Sequence, residues 1–345
     1  MEKRAIFFGF LIVLLVAAFS AGCSSGGEAN GTAHDNTAPP EATGDKGVMP
    51  GEPVRLSGNI TVGELMSFVS GAAGYAKSAG MADALNEFGD PDGEFSSGDV
   101  YIYAYGFNGT LLAHPYQTDL VGTGRSNWTD VRGFLFYKAS AYTAENGGGF
   151  VAYLYPKPDD GVINESAKGD YVPKIGCVMP VDDEWWIGSG LYLSDLVDSD
   201  TGTAPAATTE MISLVESGVE YALENGNEAA FGAISDKSGT FVDESGHYLY
   251  AYDYNGTLLA HPYLTDRIGQ DLIDHEGAFG EKDIRMLIGA AQEGGGYVVF
   301  SWPNPDNGNK PEIKIGYVLP VDDEWWLGSG VYLSEITGDD EAIPE

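Results

Sequence analysis

The chain has little cysteine, few bases, few histidines and, after Phe19, no long apolar run. Its two cysteines, Cys23 and Cys177, cannot supply the disulfide framework on which small secreted folds rely. Seventeen Lys plus Arg stand against 52 Asp plus Glu. Such an acidic surface keeps a chain soluble and repels nucleic acid, which leaves nucleic-acid binding off the partner list. Five histidines with no His-x-x-x-His spacing, and no paired cysteines, give no metal signature. No nucleophile elbow or acid–base set appears either, so neither catalysis nor a cofactor is expected. The missing apolar run means that no second membrane span leads to a cytoplasmic output module.

What is present begins with a compartment signal. Lys3 and Arg4 precede the apolar run Ala5 to Phe19, and Ser20-Ala21-Gly22-Cys23 follows with small residues ending on cysteine. That order predicts a secretory signal peptide over residues 1–22, because the run is too short for a transmembrane helix. A cysteine at that place resembles a lipobox, although Ser20 stands where such sites prefer Leu. The expectation is a chain lipidated on Cys23, lying on the extracellular face of the membrane. Residues 23–55 are poor in large apolar side chains and read as a flexible tether. Residues 199–206 read as a linker and 339–345 as an acidic tail.

The rest of the sequence is one domain written twice. Tyr101-Ile-Tyr-Ala-Tyr-Gly-Phe-Asn-Gly-Thr-Leu-Leu-Ala-His114-Pro115-Tyr116 returns at an offset of 147 as Tyr248-Leu-Tyr-Ala-Tyr-Asp-Tyr-Asn-Gly-Thr-Leu-Leu-Ala-His261-Pro262-Tyr263. Lys174-Ile-Gly-Cys-Val-Met-Pro-Val-Asp-Asp-Glu-Trp-Trp186 returns at an offset of 140, with Lys314, Gly316 and Trp326 at matching places. The first copy therefore carries seven extra residues (147 − 140) between Pro156 and Lys174. Two homologous domains follow, over 56–198 and 207–338, each long enough for its own core.

Within each copy the elements are legible. Apolar residues at helical spacing predict helices over Glu64 to Phe88 and Glu210 to Ile234. Tyr101 to Tyr105 alternates as a strand, Asn108-Gly109 is a hairpin turn, and Thr110 to Ala113 is the return strand. Phe134 to Glu145 reads as a second helix stopped by three glycines, followed by strands at Phe150–Tyr155, Lys174–Met179 and Trp186–Leu193. The fold class is α+β, an antiparallel sheet with a long N-terminal helix, repeated twice.

That order of motifs resembles the Cache superfamily in its single-Cache type 2 form. The resemblance rests on Tyr-x-Tyr-x-Tyr-x-x-Asn-Gly-Thr-x-x-Ala-His-Pro, a Gly-Gly-Gly-aromatic strand, Lys-x-x-aromatic-Val and Trp-x-x-Gly-x-Gly-x-Tyr, and covers both copies. Cys177 stands where the second copy has Tyr317 in the aromatic place. The resemblance implies a PAS-like sheet with a pocket for small molecules, often short organic acids, in extracytoplasmic sensors. Such domains ordinarily sit in receptors with a membrane span and a transducer, so a separate transmembrane transducer or transporter is the partner it implies.

The pocket can also be read from the residues. Lys174, Gly176 and Val178 share one strand face, as do Lys314, Gly316 and Val318. A lysine beside a mid-strand glycine, in a chain short of bases, suits an anionic solute; the alternative is a solvated edge lysine. His114 and His261 can donate to a carboxylate or serve as structural histidines bonded to a loop. Tyr103, Tyr105 and Tyr155, with Tyr250, Tyr252 and Trp302, supply apolar walls with polar tips. The function expected is an extracellular, lipid-anchored small-molecule sensor. The alternative is a surface or adhesion protein using the same domains without a ligand.

Overall fold

The structure, a computed structural model, describes residues 56, 59–157 and 171–338. Cys23, the leader, the whole tether and the acidic tail lie outside the described residues. The first lobe runs through helices α1 (Val62–Ala79) and α2 (Met81–Phe88) and short strands β1 (Ser96–Ser97) and β2 (Val100–Tyr101). It continues with β3 (Tyr103–Gly106), β4 (Leu111–Ala113), α3 (Phe136–Glu145), β5 (Gly149–Pro156), β6 (Tyr171–Pro180) and β7 (Trp185–Tyr192). The second lobe opens with α4 (Ala206–Asn225), α5 (Asn227–Ser235), β8 (Tyr250–Asp253) and β9 (Leu258–Ala260). It closes with α6 (Asp283–Gln292), β10 (Gly296–Asn304), β11 (Lys310–Pro320), β12 (Trp325–Tyr332) and α7 (Leu333–Thr337).

Each lobe has its own five-stranded antiparallel sheet, in the order β4-β3-β7-β6-β5 and β9-β8-β12-β11-β10. This is the α+β architecture expected. The turn residues do the work assigned to them: Asn108 Oδ1 accepts from the Thr110 N–H at 3.0 Å, and Gly109 takes φ 90°.

The long first helix differs from expectation in one respect. It begins with a capping box, in which Thr61 Oγ1 accepts from the Glu64 N–H and Glu64 Oε2 accepts from the Thr61 N–H. Leu65, Phe68, Val69, Ala72 and Ala76 then form the buried stripe. Gly80 breaks the helix at φ 86°, a conformation that a Cβ resists, and α2 restarts at once. Gly226 does the same in the second lobe at φ 83°. The apolar spacing continues across both breaks, so periodicity alone reads through them.

Helix α4 lies against the sheet face that carries Leu249 and Leu327, whose methyl groups fill the space above Gly218. Helices α3 and α6 cover the opposite face, the one that holds the repeated lysines. Between the lobes, Lys138 Nζ donates to the Phe279 carbonyl at 2.8 Å, and Phe134 meets the Phe279 ring edge-on. Among the described residues no helix is long and apolar enough to cross a membrane.

Candidate functional site

The register places Tyr153, Lys174 and Tyr192 side by side across β5, β6 and β7, with Gly176 opposite Gly190 and Gly188 opposite Tyr103. These glycines form a floor. A Cβ on Gly188 would stand 2.7 Å from the Tyr103 hydroxyl oxygen, and one on Gly190 would stand 3.1 Å from Lys174 Cε. Both side chains therefore lie flat on the sheet. The gap at Gly176 is likewise taken by the chain itself, since a Cβ there would meet Val151 and the Tyr153 ring. The missing side chains thus make room for the lysine and tyrosines, and the ligand space lies one layer further out, under α3.

Lys174 sits on the second strand from the sheet edge and is 3% exposed, so it is no solvated edge residue. Its ammonium lies over three rings, at 5.2 Å from the centroids of Tyr101 and Tyr155 and 4.8 Å from that of Tyr192. Among the described residues no carboxylate forms an ion pair with it. Burial lowers its pKa to about 8, against the opposing pull of Asp99 and Asp195.

His114 has a fixed tautomer. Its Nδ1 accepts from the backbone N–H groups of Tyr116 and Gln117, both at 3.1 Å. Burial, helped by the Lys174 charge, lowers its pKa to about 3. The ring is therefore neutral and carries its proton on Nε2. His114 is bonded to its loop through Nδ1, and its ring lines the cavity. Burial also raises the hydroxyl pKa of Tyr101, Tyr103 and Tyr105, which keeps them protonated. The polar atoms facing this cavity are hydroxyls, an amide, an imidazole and one ammonium, and no carboxylate lines it.

The second lobe repeats the frame with a different lining. Lys314 is 2% exposed, with its ammonium 4.5 Å and 4.3 Å above the rings of Tyr248 and Tyr332. His261 Nδ1 accepts from Tyr263 and Leu264, and burial lowers its pKa to about 3. Tyr250, Tyr252 and Trp302 line its cavity as Tyr103, Tyr105 and Tyr155 line the first. At an offset of 147, however, Tyr137, Ser140 and Tyr153 give way to Ile284, Leu287 and Phe300. The cavity volume falls from about 30 Å³ in the first lobe to about 10 Å³ in the second. A single water needs roughly 10–15 Å³ on that measure, so the second cavity has room for one water at most and the first for more than one.

Every residue expected at the site from the sequence, except Cys23, faces one of the two cavities. Sequence reasoning missed Gln117, Tyr137, Ser140 and Trp186. Tyr137 and Ser140 lie on α3 three residues apart, a helical spacing that marks one face. Trp186 stacks on Tyr105 with centroids 5.2 Å apart and so belongs to the cavity wall as well as to the core. Trp128, also in the wall, is covered by the Arg125 guanidinium, which lies 3.4 Å over its ring and does not itself line the cavity.

One cluster stands apart from both cavities. Glu210, Asp243 and His247 bring possible metal-ligating atoms within 4.8 Å of one another. Both nitrogens of His247 are already engaged, with Asp243 at 2.8 Å and Glu335 at 2.7 Å. Burial disfavours its charge, yet the hydrogen bonds and charges of Glu335 and Asp243 outweigh that and raise the pKa. The group is a histidine clamp that ties α7 to the loop before Tyr248.

The model of the family described as Single Cache domain 2 matches residues 81–203 and again 211–343. A sensor histidine kinase, MctS of Rhizobium johnstonii, is 34% identical over 90 residues, which are 26% of this chain and 19% of that relative. The match thus spans about a fifth of the curated relative's length. Among solved structures, a methyl-accepting chemotaxis protein from Vibrio parahaemolyticus is 28% identical, over 38% of this chain and 91% of that one, with a TM-score of 0.34. A Cache chemosensory domain described for carboxylic acid recognition is 22% identical, over 37% and 94%, with a TM-score of 0.32.

Proposed function

We propose a ligand-sensing role for this chain, which belongs to the Single Cache domain 2 family: its first lobe binds a small organic monocarboxylate in the cavity between the sheet and α3. The observation that carries this reading is the buried ammonium of Lys174, with no carboxylate partner among the described residues and a neutral His114 lining the same cavity. Burying such a cation is costly unless something neutralises it. A carboxylate would accept from Lys174 Nζ and from the Nε2–H of His114, and its short apolar tail would meet Phe136 and Trp186. The small cavity volume favours acids of few carbons. The reading assigns the chain no reaction: the Ser140 hydroxyl is tied to the Phe136 carbonyl at 2.7 Å, and the Lys174 ammonium serves to hold charge.

Calorimetric titration of the chain with acetate, propionate and their amides tests the reading. The acids should bind and the isosteric amides should not, because only the acids neutralise the ammonium. Equal binding of acid and amide, or no binding of either, would reject it.

The reading places the protein outside the cytoplasm, held through a lipid on Cys23, with any signal passed to a separate transmembrane partner. The charged, apolar and small-residue order of residues 3 to 23 supports the anchor. Cys23→Ala should move the protein from the membrane fraction to the soluble fraction, and unchanged membrane partitioning would remove the anchor from the proposal.

A further inference from the structure

The second lobe's inner cavity is reduced to about 10 Å³, yet its lysine stays buried. Lys314 lines that closed cavity on one side and a much larger cleft on the other. The cleft has a volume of about 650 Å³, within the roughly 300–1,000 Å³ usual for small-molecule sites. The loop Ser245–Tyr248, the turn Pro305–Asn307, the strand face at Gly330 and Tyr332, and the start of α7 enclose it.

Two ammonium groups meet there. Lys314 Nζ lies 4.5 Å over the Tyr248 ring, and Lys237 Nζ lies 4.7 Å over the Tyr263 ring. Those two rings are themselves edge-to-face, with centroids 5.0 Å apart. The cations therefore flank a single aromatic pair in a chain with 17 bases and 52 acids. Neither forms an ion pair among the described residues. The carboxylate of Glu335, which also lines the cleft, is taken up by His247 and the Tyr332 N–H. Asp306 also lines the cleft and is exposed to solvent. The first lobe lacks this arrangement: Pro91 stands where the second lobe has Lys237, by the common spacing to Gly93 and Gly239, and Asp99 stands where it has Gly246.

We infer that the second lobe carries a distinct site in this outer cleft, for an organic anion with two acidic groups, such as a dicarboxylate. One carboxylate meets Lys314 at the cleft floor, and the other meets Lys237 over Tyr263. Ser245 and Asn307 line the space between. A monocarboxylate satisfies one cation and leaves the other, so it binds weakly. This site shares no residue with the first-lobe cavity, and each stands or falls alone.

The test uses the full chain carrying Lys174→Met, which silences the first lobe, titrated with succinate, glutarate and acetate. Succinate or glutarate should bind with acetate at least about tenfold weaker. Adding Lys237→Met, an exposed position whose loss should leave the melting temperature unchanged, should weaken dicarboxylate binding about tenfold or more, as expected for a charge-assisted hydrogen bond. Absence of dicarboxylate binding, or binding unaffected by Lys237→Met, would overturn the inference, whatever acetate does in the unsubstituted chain.

Discussion

Lys174→Met should abolish acetate-class binding to the first lobe while making the unliganded protein more stable. A desolvated charge-assisted hydrogen bond contributes about 1.5–3 kcal/mol, so calorimetry should register a loss of roughly ten- to a hundredfold. The gain in stability has a separate cause. In the unfolded chain the lysine titrates near 10.5, and burial lowers it to about 8 in the fold. Between those values the unfolded state binds more protons, so stability rises as the pH rises from about 8 towards 10.5. Below pH 8 the fold bears the full cost of the buried charge, on the order of 3 kcal/mol. Methionine fills the same space without that cost, and it removes the rise between pH 8 and 10.5. Anion affinity runs the other way: it needs the ammonium and should fall about tenfold per unit above pH 8. It should show no step near pH 6.5, because His114, lowered to about 3, stays neutral throughout. Lys314→Met is the control and should leave acetate binding unchanged. An affinity inflection near 6.5, or a Lys174→Met protein that still binds, would contradict this account.

The duplication made most of this fold readable. Two copies of the Tyr-x-Tyr strand, the Asn-Gly turn and the Lys-x-Gly strand gave the order and alternation of the sheet, and alternation put Lys174 and Gly176 on one face. Local pattern could not say what fills a gap between strands. Gly176 read as room for a ligand, whereas cross-strand register fills it with Val151 and Tyr153. Nor could it rank the two lobes. Tyr137 and Ser140 in the first, with Ile284 and Leu287 in the second, lie on helices whose facing surface only the packed structure reveals. The helix break at Gly80 was hidden because apolar spacing runs across it. The least visible feature is a pair of carboxylates at unrelated positions that do the same task.

Those carboxylates, Asp130 and Glu281, carry the second large effect expected. Strand β5 is a sheet edge, and the outward N–H of its Leu154 has no strand beside it. Asp130 Oδ2 accepts from that N–H at 3.1 Å, while Oδ1 accepts from Arg132, Gly133 and Phe134 at 2.9–3.0 Å. In the second lobe position 277, the counterpart of Asp130, is glycine. Glu281 reaches back from the place of Phe134, and its Oε1 accepts from the Ser301 N–H at 2.8 Å. Ser301 is the counterpart of Leu154, so both lobes cap the same edge N–H with a carboxylate from a different loop position. A Cβ at Gly277 would collide with that Glu281 carboxylate, which is why the two solutions exclude each other. Asp130→Ala strands three N–H groups, those of Arg132, Phe134 and Leu154, the last two in buried surroundings, while the Gly133 N–H keeps the backbone carbonyl of residue 130 as acceptor. At about 1–3 kcal/mol for each unmet buried donor, partly relieved by water, the loss should be about 2–5 kcal/mol by urea unfolding. At pH 7.5, above the value of about 6 to which burial raises Asp130, the native carboxylate is ionised, and the measurement compares it with no acceptor at all. Asp130→Asn should fall in between, because its oxygen keeps the three loop donors while its amide faces the Leu154 N–H donor to donor. A change below about 1 kcal/mol in the alanine variant would mean that water satisfies these groups and that the edge needs no carboxylate.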